Sequence, residues 1–530
     1  MTTLVPRPPY NEQELKALYP PNLELQLVQV LLRHGERTPI SSRFRNAGLP
    51  AFWPYCTPVR QFKSAVLDRT TGQFTTLEWK RRLETFGPND EPGPVVGPNG
   101  ELDGVCDMGM LTDRGRETTF DLGTRLRRLY VDQLGFLPPT LNDADLLYLR
   151  ATPIPRALES LQETFTGLYP PHARSPLLSP LTIIQRSPGQ ETLFPNDSNC
   201  RRFAALSRAF AQRAASRWND TDEMAYLNKI YGNWMPASTP RVSVDGRPRL
   251  NGIMDTINAT LAHGPDTRLP QEFYDPKSRE IMDKIVVEEW FAGYKESQEY
   301  RTLGIGGLLG DCVSRMVGTA EHLRVGGMEK DRQTATAMRF GLSGCHDTTI
   351  AGVLASLGAF ENGKWPAFTS HIAIEMFRSS DAASKKVGAI PSETRQAAIS
   401  PAESTNLNLN GTGPSASWVA SLFSWTSSSK RRDVPGATPP GLERKRTEQL
   451  TPQDKAKLQD YYVRLRYNDE VVTIPGCRAA GKHLDGDESF CTLEAFKAIV
   501  DKFVPDNWSQ QCSTNVNAPA FPARPEPAGY

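Results

Sequence analysis

Residues 23–32 read LELQLVQVLL and run directly into residues 33–39, RHGERTP. The apolar run predicts a β-strand that is half-buried at its start and fully buried at its end. The strand carries His34, flanked by Arg33 and Arg37, to its C-terminal end, which is where ligands bind in open α/β sheets. A guanidinium presents a planar fork of donors that matches a phosphate. The stretch therefore predicts a site for an anionic ligand with several oxygens.

Two further strand ends carry polar residues of the same kind. Residues 143–149, DADLLYL, predict a second buried strand that ends at Arg150, and a helix begins near Ala157. Residues 337–343, AMRFGLS, predict a third strand, and the turn after it contains His346 and Asp347. If the three ends share one edge, their cationic groups would repel each other unless an anion or a carboxylate lies among them. A tetrahedral dianion meets that requirement.

This set of side chains suits phosphoryl transfer. A neutral His34 would attack phosphorus and split one hydrolysis into two displacements. Asp347 would protonate the leaving alkoxide and later deprotonate the attacking water. Neighbouring arginines lower the pKa of such a carboxyl, whereas burial raises it, so the sequence leaves its direction open. The groups expected to hold the phosphoryl oxygens are Arg33, Arg37, Arg150 and His346.

Bulk composition excludes some functions. The 530 residues include 61 basic and 60 acidic side chains, for a net charge of +1, and a nucleic-acid-binding protein would show a basic excess. No run approaches the roughly 20 apolar residues that span a bilayer. The N-terminal stretch has no apolar core of a signal peptide, so we expect an intracellular, cytoplasmic protein. Five N-x-S/T triplets point weakly the other way.

The eight cysteines are scattered and lack C-x-x-C or metal-ligand spacing. Without a signal peptide, they are expected to be reduced thiols. A metal site built from His34, His346 and Asp347 is the alternative to phosphate binding, but arginines beside metal ligands would be electrostatically unfavourable. We predict no metal and no other cofactor.

The chain divides into an α/β core with insertions. We place the first part of the core at 22–175, a helical cap subdomain at 176–330, and the second part of the core at 331–378 and 456–512. Residues 379–455 are rich in Ser, Pro and Thr and predict a disordered insertion, and residues 1–21 and 513–530 are expected to be tails.

One patch in the insertion differs from its surroundings. Trp418, Leu422 and Trp425 follow helical spacing and precede a basic cluster, which is typical of a helix resting in a membrane interface. The alternative is that they fold back onto the protein's own surface. The expected partner is otherwise a small phosphomonoester, and the sequence does not indicate an oligomeric state.

RHGERTP resembles the RHGxRxP signature of the histidine acid phosphatases, and His346-Asp347 resembles their HD pair. Arg150-Ala151-Thr152, followed by Arg156, is similar to their second arginine region. The resemblance implies an α/β fold with a phosphoglycerate-mutase-like three-layer α/β/α core and an inserted helical cap subdomain. It implies His34 as nucleophile, Asp347 as proton donor and no metal, and it implies a set of phosphate ligands, namely Arg33, Arg37, Arg150 and His346.

Within that family, Glu36-Arg37-Thr38 resembles the intracellular lysophosphatidic acid phosphatase type and its fungal relatives more than the secreted phytases. Two alternatives remain open. One is a phytase-like phosphatase for inositol polyphosphates, which would need a wide basic pocket. The other is a scaffold that binds phosphate without turnover.

Overall fold

A computed structural model of the chain describes residues 8–57, 61–325, 338–361, 363–380 and 441–530. Most of the proposed insertion, including Trp418, Leu422 and Trp425, lies outside the described residues, so the membrane-interface hypothesis for that patch stays a prediction.

The strands form one large mixed sheet and two small hairpins. In chain order they are β1 (Leu23–Arg33), β2 (Gln61–Asp68), β3 (Gln73–Lys80), β4 (Glu84–Phe86), β5 (Pro92–Pro94), β6 (Leu147–Ala151), β7 (Ile183–Ile184), β8 (Phe340–Cys345), β9 (His371–Ser379), β10 (Tyr461–Tyr467), β11 (Glu470–Val472), β12 (His483–Leu484) and β13 (Asp487–Thr492).

The large sheet has the order β12-β13-β10-β9-β1-β8-β6-β7, with β11 paired to β10. β8 is parallel to β1 on one side and to β6 on the other, so these three strands end at the same edge. β9 runs antiparallel to β1, and the remaining strands on that side are antiparallel too.

The α-helices cover both faces of this sheet. In chain order they are α1 (Glu12–Leu18), α2 (Asp113–Arg127), α3 (Pro155–Leu168), α4 (Arg201–Trp218), α5 (Asp222–Tyr231), α6 (Leu250–Ala262), α7 (Pro276–Glu296), α8 (Gln298–Arg301), α9 (Gly307–Val325), α10 (Asp347–Ser356), α11 (Pro452–Leu458), α12 (Leu493–Asp501) and α13 (Trp508–Ser513).

Strand β1 separates two hydrophobic cores. Successive side chains of a strand point to opposite faces. Leu27 and Leu31 therefore enter the core formed with the helices of the 201–325 block and α10. Val28, Val30 and Leu32 enter the core formed with α2 and α3. All five side chains are essentially inaccessible, which explains why residues 27–32 are apolar except for the buried Gln29.

The predicted α/β class is confirmed, with a mixed rather than purely parallel sheet. Helices do follow one another between residues 201 and 325, as expected of the helical subdomain. They share one continuous core with the first face of the sheet, however, so the helical cap subdomain and its boundaries at 176 and 330 stay a prediction. In the described ranges, no helix is both long enough and apolar enough to cross a membrane.

Several local expectations are corrected. The second strand covers Leu147–Ala151, because residues 144–146 form a 3-10 turn, so Arg150 lies inside the strand and not beyond it. Residues 441–455 are ordered where we predicted disorder: Leu442 and Leu450 are buried and anchor two 3-10 turns ahead of α11.

The two proposed tails also contain packed structure. The first contains α1, whose N-cap Asn11 accepts a hydrogen bond from the Glu14 N–H at 2.8 Å. The second returns to the body of the protein, where the Gly476 N–H donates to the Gly529 carbonyl at 2.7 Å. Both segments were predicted as tails because their Pro-rich composition carries little periodic apolar pattern.

The prediction of reduced thiols is wrong for six of the eight cysteines. Disulfides join Cys56 to Cys106, Cys200 to Cys512 and Cys477 to Cys491. Only Cys312 and Cys345 are free, and both are buried. The partners lie 50, 312 and 14 residues apart, so tertiary folding and not local spacing brings them together.

Candidate active site

The candidate site lies where the parallel strands β1, β8 and β6 end. Arg33 is in register with Cys345, and Ala151 is in register with Gly344. The residue that follows each strand is therefore His34 for β1, His346 for β8 and Thr152 for β6, so these three residues lie side by side at the sheet edge. The strand ends that carry His34 and His346-Asp347 thus meet at this edge, next to the end of β6.

A close backbone contact fixes the turn after β1. A Cβ on Gly35 would lie 2.2 Å from the Gly115 carbonyl oxygen, at the start of α2. The Gly35 N–H donates to the Ser160 hydroxyl of α3 at 3.0 Å. The start of α2 is capped by Thr112, whose hydroxyl accepts a hydrogen bond from the Gly115 N–H at 3.3 Å. The RHG turn is thus held between two helices that cover one sheet face.

His34 is only 1% exposed, and its ring is placed by one hydrogen bond. Its Nδ1 lies 2.9 Å from the Gly35 carbonyl oxygen. A carbonyl can only accept, so Nδ1 carries the proton and Nε2 is the unprotonated nitrogen of the neutral ring. Burial, followed by the charges of Arg156 and Arg33, lowers the pKa of His34 well below its usual value. The ring is therefore neutral and has a lone pair for nucleophilic attack.

Arg33 and Arg37 flank this histidine and are each paired with one carboxylate. Arg33 Nη2 lies 2.7 Å from Asp347 Oδ2, and Arg37 Nη2 lies 2.8 Å from Asp255 Oδ1. The Arg33 guanidinium also stacks on Phe368, 4.2 Å from the ring centroid. The buried Nε of each arginine has no hydrogen-bond partner, so donors remain for an anion.

His346 and Asp347 stand at the start of α10. His346 Nε2 lies 3.0 Å from the Thr152 hydroxyl, which joins the β8 end to the β6 end. Burial and the charge of Arg156 lower the pKa of His346 to about 3. Asp347 accepts hydrogen bonds from the Thr348 N–H at 2.9 Å and the Trp365 indole N–H at 3.1 Å.

The direction of the Asp347 pKa, which the sequence left open, is downward. Burial raises the pKa of Asp347, but the nearby charges of Arg33 and Arg37 outweigh burial and hold the pKa at about 2. The carboxyl is therefore ionised in the free protein at any pH above that value, and it neutralises part of the positive charge around His34.

These side chains line a cavity of about 450 Å³. The sheet edge supplies one wall, and α6 and α7 supply another through Asp255 and Trp290. Of the residues predicted for the site, five border the cavity: Arg33, His34, Arg37, His346 and Asp347.

Arg150 is the predicted phosphate ligand that the structure does not bring to the cavity. Because β6 continues to Ala151, Arg150 is fully buried within the sheet layer, and Arg150 Nη2 lies 2.6 Å from Glu191 Oε1. Arg150 Nη1 also lies 3.2 Å from Asp311 Oδ2. The arginine from this region that lines the cavity is Arg156, in the first turn of α3.

Arg156 has the electrostatic properties of a ligand for an anion. Burial and the charge of Arg37 lower the pKa of Arg156 to about 10, which leaves it cationic at neutral and acidic pH. Its buried Nε has no partner. The sequence does contain a signal that would have favoured Arg156 as the ligand. Pro155 is typical of the first position of a helix, so Arg156 is expected in the first helical turn after the strand.

Sequence reasoning also missed Asp255 and Glu36 as functional neighbours. Asp255 pairs with Arg37 from α6, more than two hundred residues away, and nothing local marks it. Glu36 is fully buried within the RHGERTP stretch, and its Oε2 accepts from Thr118. Burial raises the pKa of Glu36 to about 7. Within the described ranges no cluster of three or more His, Cys, Asp or Glu residues is arranged as a metal site.

The chain is similar to known proteins in sequence and in overall structure. A family model described as the histidine phosphatase superfamily (branch 2) matches residues 24–390. A protein from Schizosaccharomyces pombe named as an acid phosphatase is 34% identical over 494 residues, which cover 93% of this chain and 95% of the relative. The human lysophosphatidic acid phosphatase type 6 is 25% identical over 366 residues, which cover 67% of this chain and 74% of the relative. The solved structure of a Hafnia alvei phytase in complex with tartrate matches with a TM-score of 0.46 and 13% sequence identity. The match covers 93% of this chain and 99% of the phytase.

Proposed function

The chain belongs to the histidine phosphatase superfamily (branch 2) and is an acid phosphatase that hydrolyses phosphomonoesters, and on this premise we propose that it works through a phosphohistidine on His34. The observation that carries the proposal is the state of that ring. The Gly35 carbonyl holds the proton on Nδ1, which leaves Nε2 with a lone pair in a cavity lined by arginines.

In the first displacement, His34 Nε2 forms a bond to phosphorus while the bond from phosphorus to the leaving oxygen breaks. Arg33, Arg37 and Arg156 donate to the three equatorial oxygens, where charge develops in the transition state. His346 is neutral and hydrogen-bonded to Thr152, and it contributes a further donor if its second ring nitrogen carries the proton.

The leaving alkoxide takes its proton from Asp347. Because the carboxyl is ionised in the free protein, that proton must arrive with the substrate, as the monoanion of the phosphomonoester. A second phosphate pKa near 6 makes the monoanion the main form at acidic pH. In the second displacement, water attacks phosphorus, its proton passes to Asp347, and the phosphorus–nitrogen bond breaks to leave neutral His34. The phosphate then takes this proton from Asp347 and departs as the monoanion, which restores the ionised carboxyl.

Trapping the intermediate tests this mechanism against a binding scaffold. Substrate carrying labelled phosphate is mixed with enzyme near pH 5 and quenched in alkali, where phosphohistidine survives and acyl phosphates do not. We expect stoichiometric label on the wild-type protein and none on His34→Ala, with an unchanged melting temperature for the variant. Normal turnover by His34→Ala would refute the proposal, and the absence of both label and turnover in the wild type would favour a scaffold.

For the physiological substrate we propose lysophosphatidic acid, because a lysophosphatidic acid phosphatase is among the relatives. The competing candidate is an inositol polyphosphate. Measuring kcat/KM for lysophosphatidate and for phytate on the same preparation separates them, and a preference for phytate would overturn the assignment.

A further inference from the structure

A residue outside the sequence motifs contacts the proposed proton donor directly. Trp365 lies in the segment between α10 and β9 and is only 8% exposed. Its indole N–H donates to Asp347 Oδ2 at 3.1 Å, from eighteen positions further along the chain. The contact brings an uncharged donor to a carboxylate that is otherwise surrounded by arginines.

Trp365 is held in place by α7. Its ring meets Trp290 edge to face with ring centroids 6.0 Å apart, and its centroid lies 5.2 Å from that of Phe291. Its backbone N–H donates to Asp283 Oδ1 at 3.4 Å. These contacts restrict both the ring and the backbone, so the indole N–H is fixed in direction before any substrate binds.

The residues that follow Trp365 hold the end of β1. Arg33 Nη1 donates to the Pro366 carbonyl. The Thr369 N–H donates to the His34 carbonyl at 3.2 Å. One short segment therefore contacts the nucleophile and its neighbouring arginine as well as the carboxylate on α10, and a shift of this segment would move all three together.

The two oxygens of Asp347 differ in the hydrogen bonds that they accept. Each carboxylate oxygen has two lone-pair positions. Oδ2 accepts from the Trp365 indole and lies 2.7 Å from Arg33 Nη2, so both of its positions are occupied. Within the part of the chain that the structure describes, Oδ1 accepts one hydrogen bond, from the Thr348 N–H at 2.9 Å. A proton can therefore bind Oδ1 without displacing a donor, whereas a proton on Oδ2 would displace one.

The indole also affects the acidity of this carboxyl. Burial raises the pKa of Asp347, but two arginine charges and the Trp365 hydrogen bond lower it. A hydrogen bond to an ionised carboxylate stabilises the charged form. An Asp347 that has gained a proton therefore gives it up more readily while the indole is in place, which makes it a stronger acid toward a leaving oxygen.

We propose that Trp365 is a positioning residue for the proton transfer: it occupies Oδ2 of Asp347, so that Oδ1 carries the proton to the leaving oxygen. The proton of the substrate monoanion passes to Oδ1. As the phosphoryl group moves to His34 and the bond from phosphorus to the leaving oxygen breaks, Oδ1 returns this proton, so the leaving group departs as a neutral alcohol and the carboxylate is ionised again. The inference rests on the proposed function, because it assumes that Asp347 is the proton donor.

Trp365→Phe tests the role, because it removes the N–H and keeps an aromatic ring in the cavity wall. We expect kcat/KM for ethyl phosphate to fall by about ten- to a hundredfold, since a misplaced acid loses part of its contribution to the rate. p-Nitrophenyl phosphate, whose leaving group needs little protonation, should fall by less than about threefold. Only the steps up to release of the alcohol enter kcat/KM, so hydrolysis of the phosphohistidine does not mask the difference.

The matched control is Trp290→Phe, which makes the same change in the ring that packs against Trp365. The buried Trp290 indole N–H has no hydrogen-bond partner among the described residues, so its loss removes no contact to Asp347. Whatever its effect on affinity, Trp290→Phe should keep the wild-type ratio of kcat/KM for ethyl and p-nitrophenyl phosphate. Melting temperatures show whether each variant is folded.

Trp365→His is the rescue variant. Nε2 of an imidazole occupies the ring position that Nε1 occupies in an indole, so a histidine can still present an N–H to Asp347 Oδ2. It should keep the ratio of the two substrates within about threefold of wild type. Equal losses of the ratio in folded Trp365→His and Trp365→Phe would assign the effect to the size of the ring and would overturn the inference.

Combining Trp365→Phe with Asp347→Asn separates positioning from a general structural effect. If Trp365 acts through the carboxyl, its substitution should not change the substrate ratio further once the carboxyl is gone. A folded Trp365→Phe variant with the wild-type ratio would overturn the inference, as would an equal additional loss in the Asp347→Asn background. The proposed function fails separately, if Asp347→Asn slows both substrates equally or the wild type forms no phosphohistidine.

Discussion

At the scale of single residues, Asp347 is the group whose chemistry depends most on its surroundings. It is ionised in the free protein, since its pKa is about 2, yet the proposed mechanism needs it to deliver a proton. Asp347→Asn should therefore slow alkyl phosphates, whose leaving groups need that proton, by about 10²–10⁴-fold. Activated aryl phosphates should slow less than tenfold. Steady-state kinetics on ethyl and p-nitrophenyl phosphate check this, and equal losses on both would contradict the proton-donor role.

The two arginines of the second strand region make a matched pair. Arg156→Met removes a cavity donor and should lower kcat/KM by at least a hundredfold, with little change in stability. Arg150→Met leaves Glu191 buried without its partner and should cost about 3–5 kcal/mol of unfolding free energy. Urea denaturation and kinetics on the folded fraction distinguish the two effects. If Arg150→Met is stable but inactive, Arg150 and not Arg156 binds phosphate.

At the scale of elements, the turn after β1 depends on the contact between Gly35 and Gly115. Gly35→Ala places a methyl group 2.2 Å from a backbone oxygen, which no side-chain rotation relieves. We expect a loss of at least 2 kcal/mol and of phosphatase activity, since overpacking typically costs about 1–3 kcal/mol and here displaces the His34 backbone. Thermal melts and activity measure both effects.

The control is Gly318→Ala in α9, where the added methyl group meets nothing within 4 Å. It should stabilise the protein by roughly 0.5–1 kcal/mol, because Ala is a better helix former than Gly. Wild-type stability and activity in Gly35→Ala would show that α2 can move away and that the turn is not fixed by this contact.

The elements that sequence predicted well are those whose pattern is local. The apolar run of β1 is such an element, because its pattern is complete within about ten residues. Arg150 and Arg156 were harder, because β6 ends at Ala151 and not at residue 149, and this difference of two residues keeps Arg150 inside the sheet. Asp255 and the disulfide partners could not be found, since only the tertiary fold brings them to their contacts. The positions of His34, His346 and Asp347 at one edge followed from the parallel-strand rule.

At the scale of the whole molecule, the disulfides join distant parts of the chain. Cys200–Cys512 ties the start of α4 to α13 across 312 residues. Closing a loop of that length restricts the unfolded chain, and in the entropy model the stabilisation exceeds the ~4.7 kcal/mol of a 100-residue loop. Cys200→Ser/Cys512→Ser should lower the melting temperature by several degrees and leave kcat/KM unchanged, because neither residue borders the phosphate cavity. An unchanged melting temperature would show that the bridge does not form in the protein.

Buried ionisable groups with opposed pKa shifts should set the pH dependence of stability. His34 and His346 are neutral when folded, so the unfolded state binds more protons below about pH 6.5, and stability from this pair falls as the pH decreases. Burial raises the pKa of Glu36 and of Glu289 to about 7, so the folded state holds those protons. Stability from the two carboxyls is complete below about pH 4.5 and is lost as the pH rises to about 7.

The two effects have similar slopes, about 1.4 kcal/mol per pH unit for each group, and they oppose each other between pH 4.5 and 6.5. The wild type should therefore show a broad plateau of stability across the acidic range. Glu289→Gln removes one carboxyl, so the difference in unfolding free energy between wild type and variant should grow by about 1.4 kcal/mol for each unit that the pH falls from 6.5 to 4.5. Urea melts at half-unit intervals measure this slope. A difference that does not change with pH would mean that burial does not raise the pKa of Glu289 above its value in the unfolded chain.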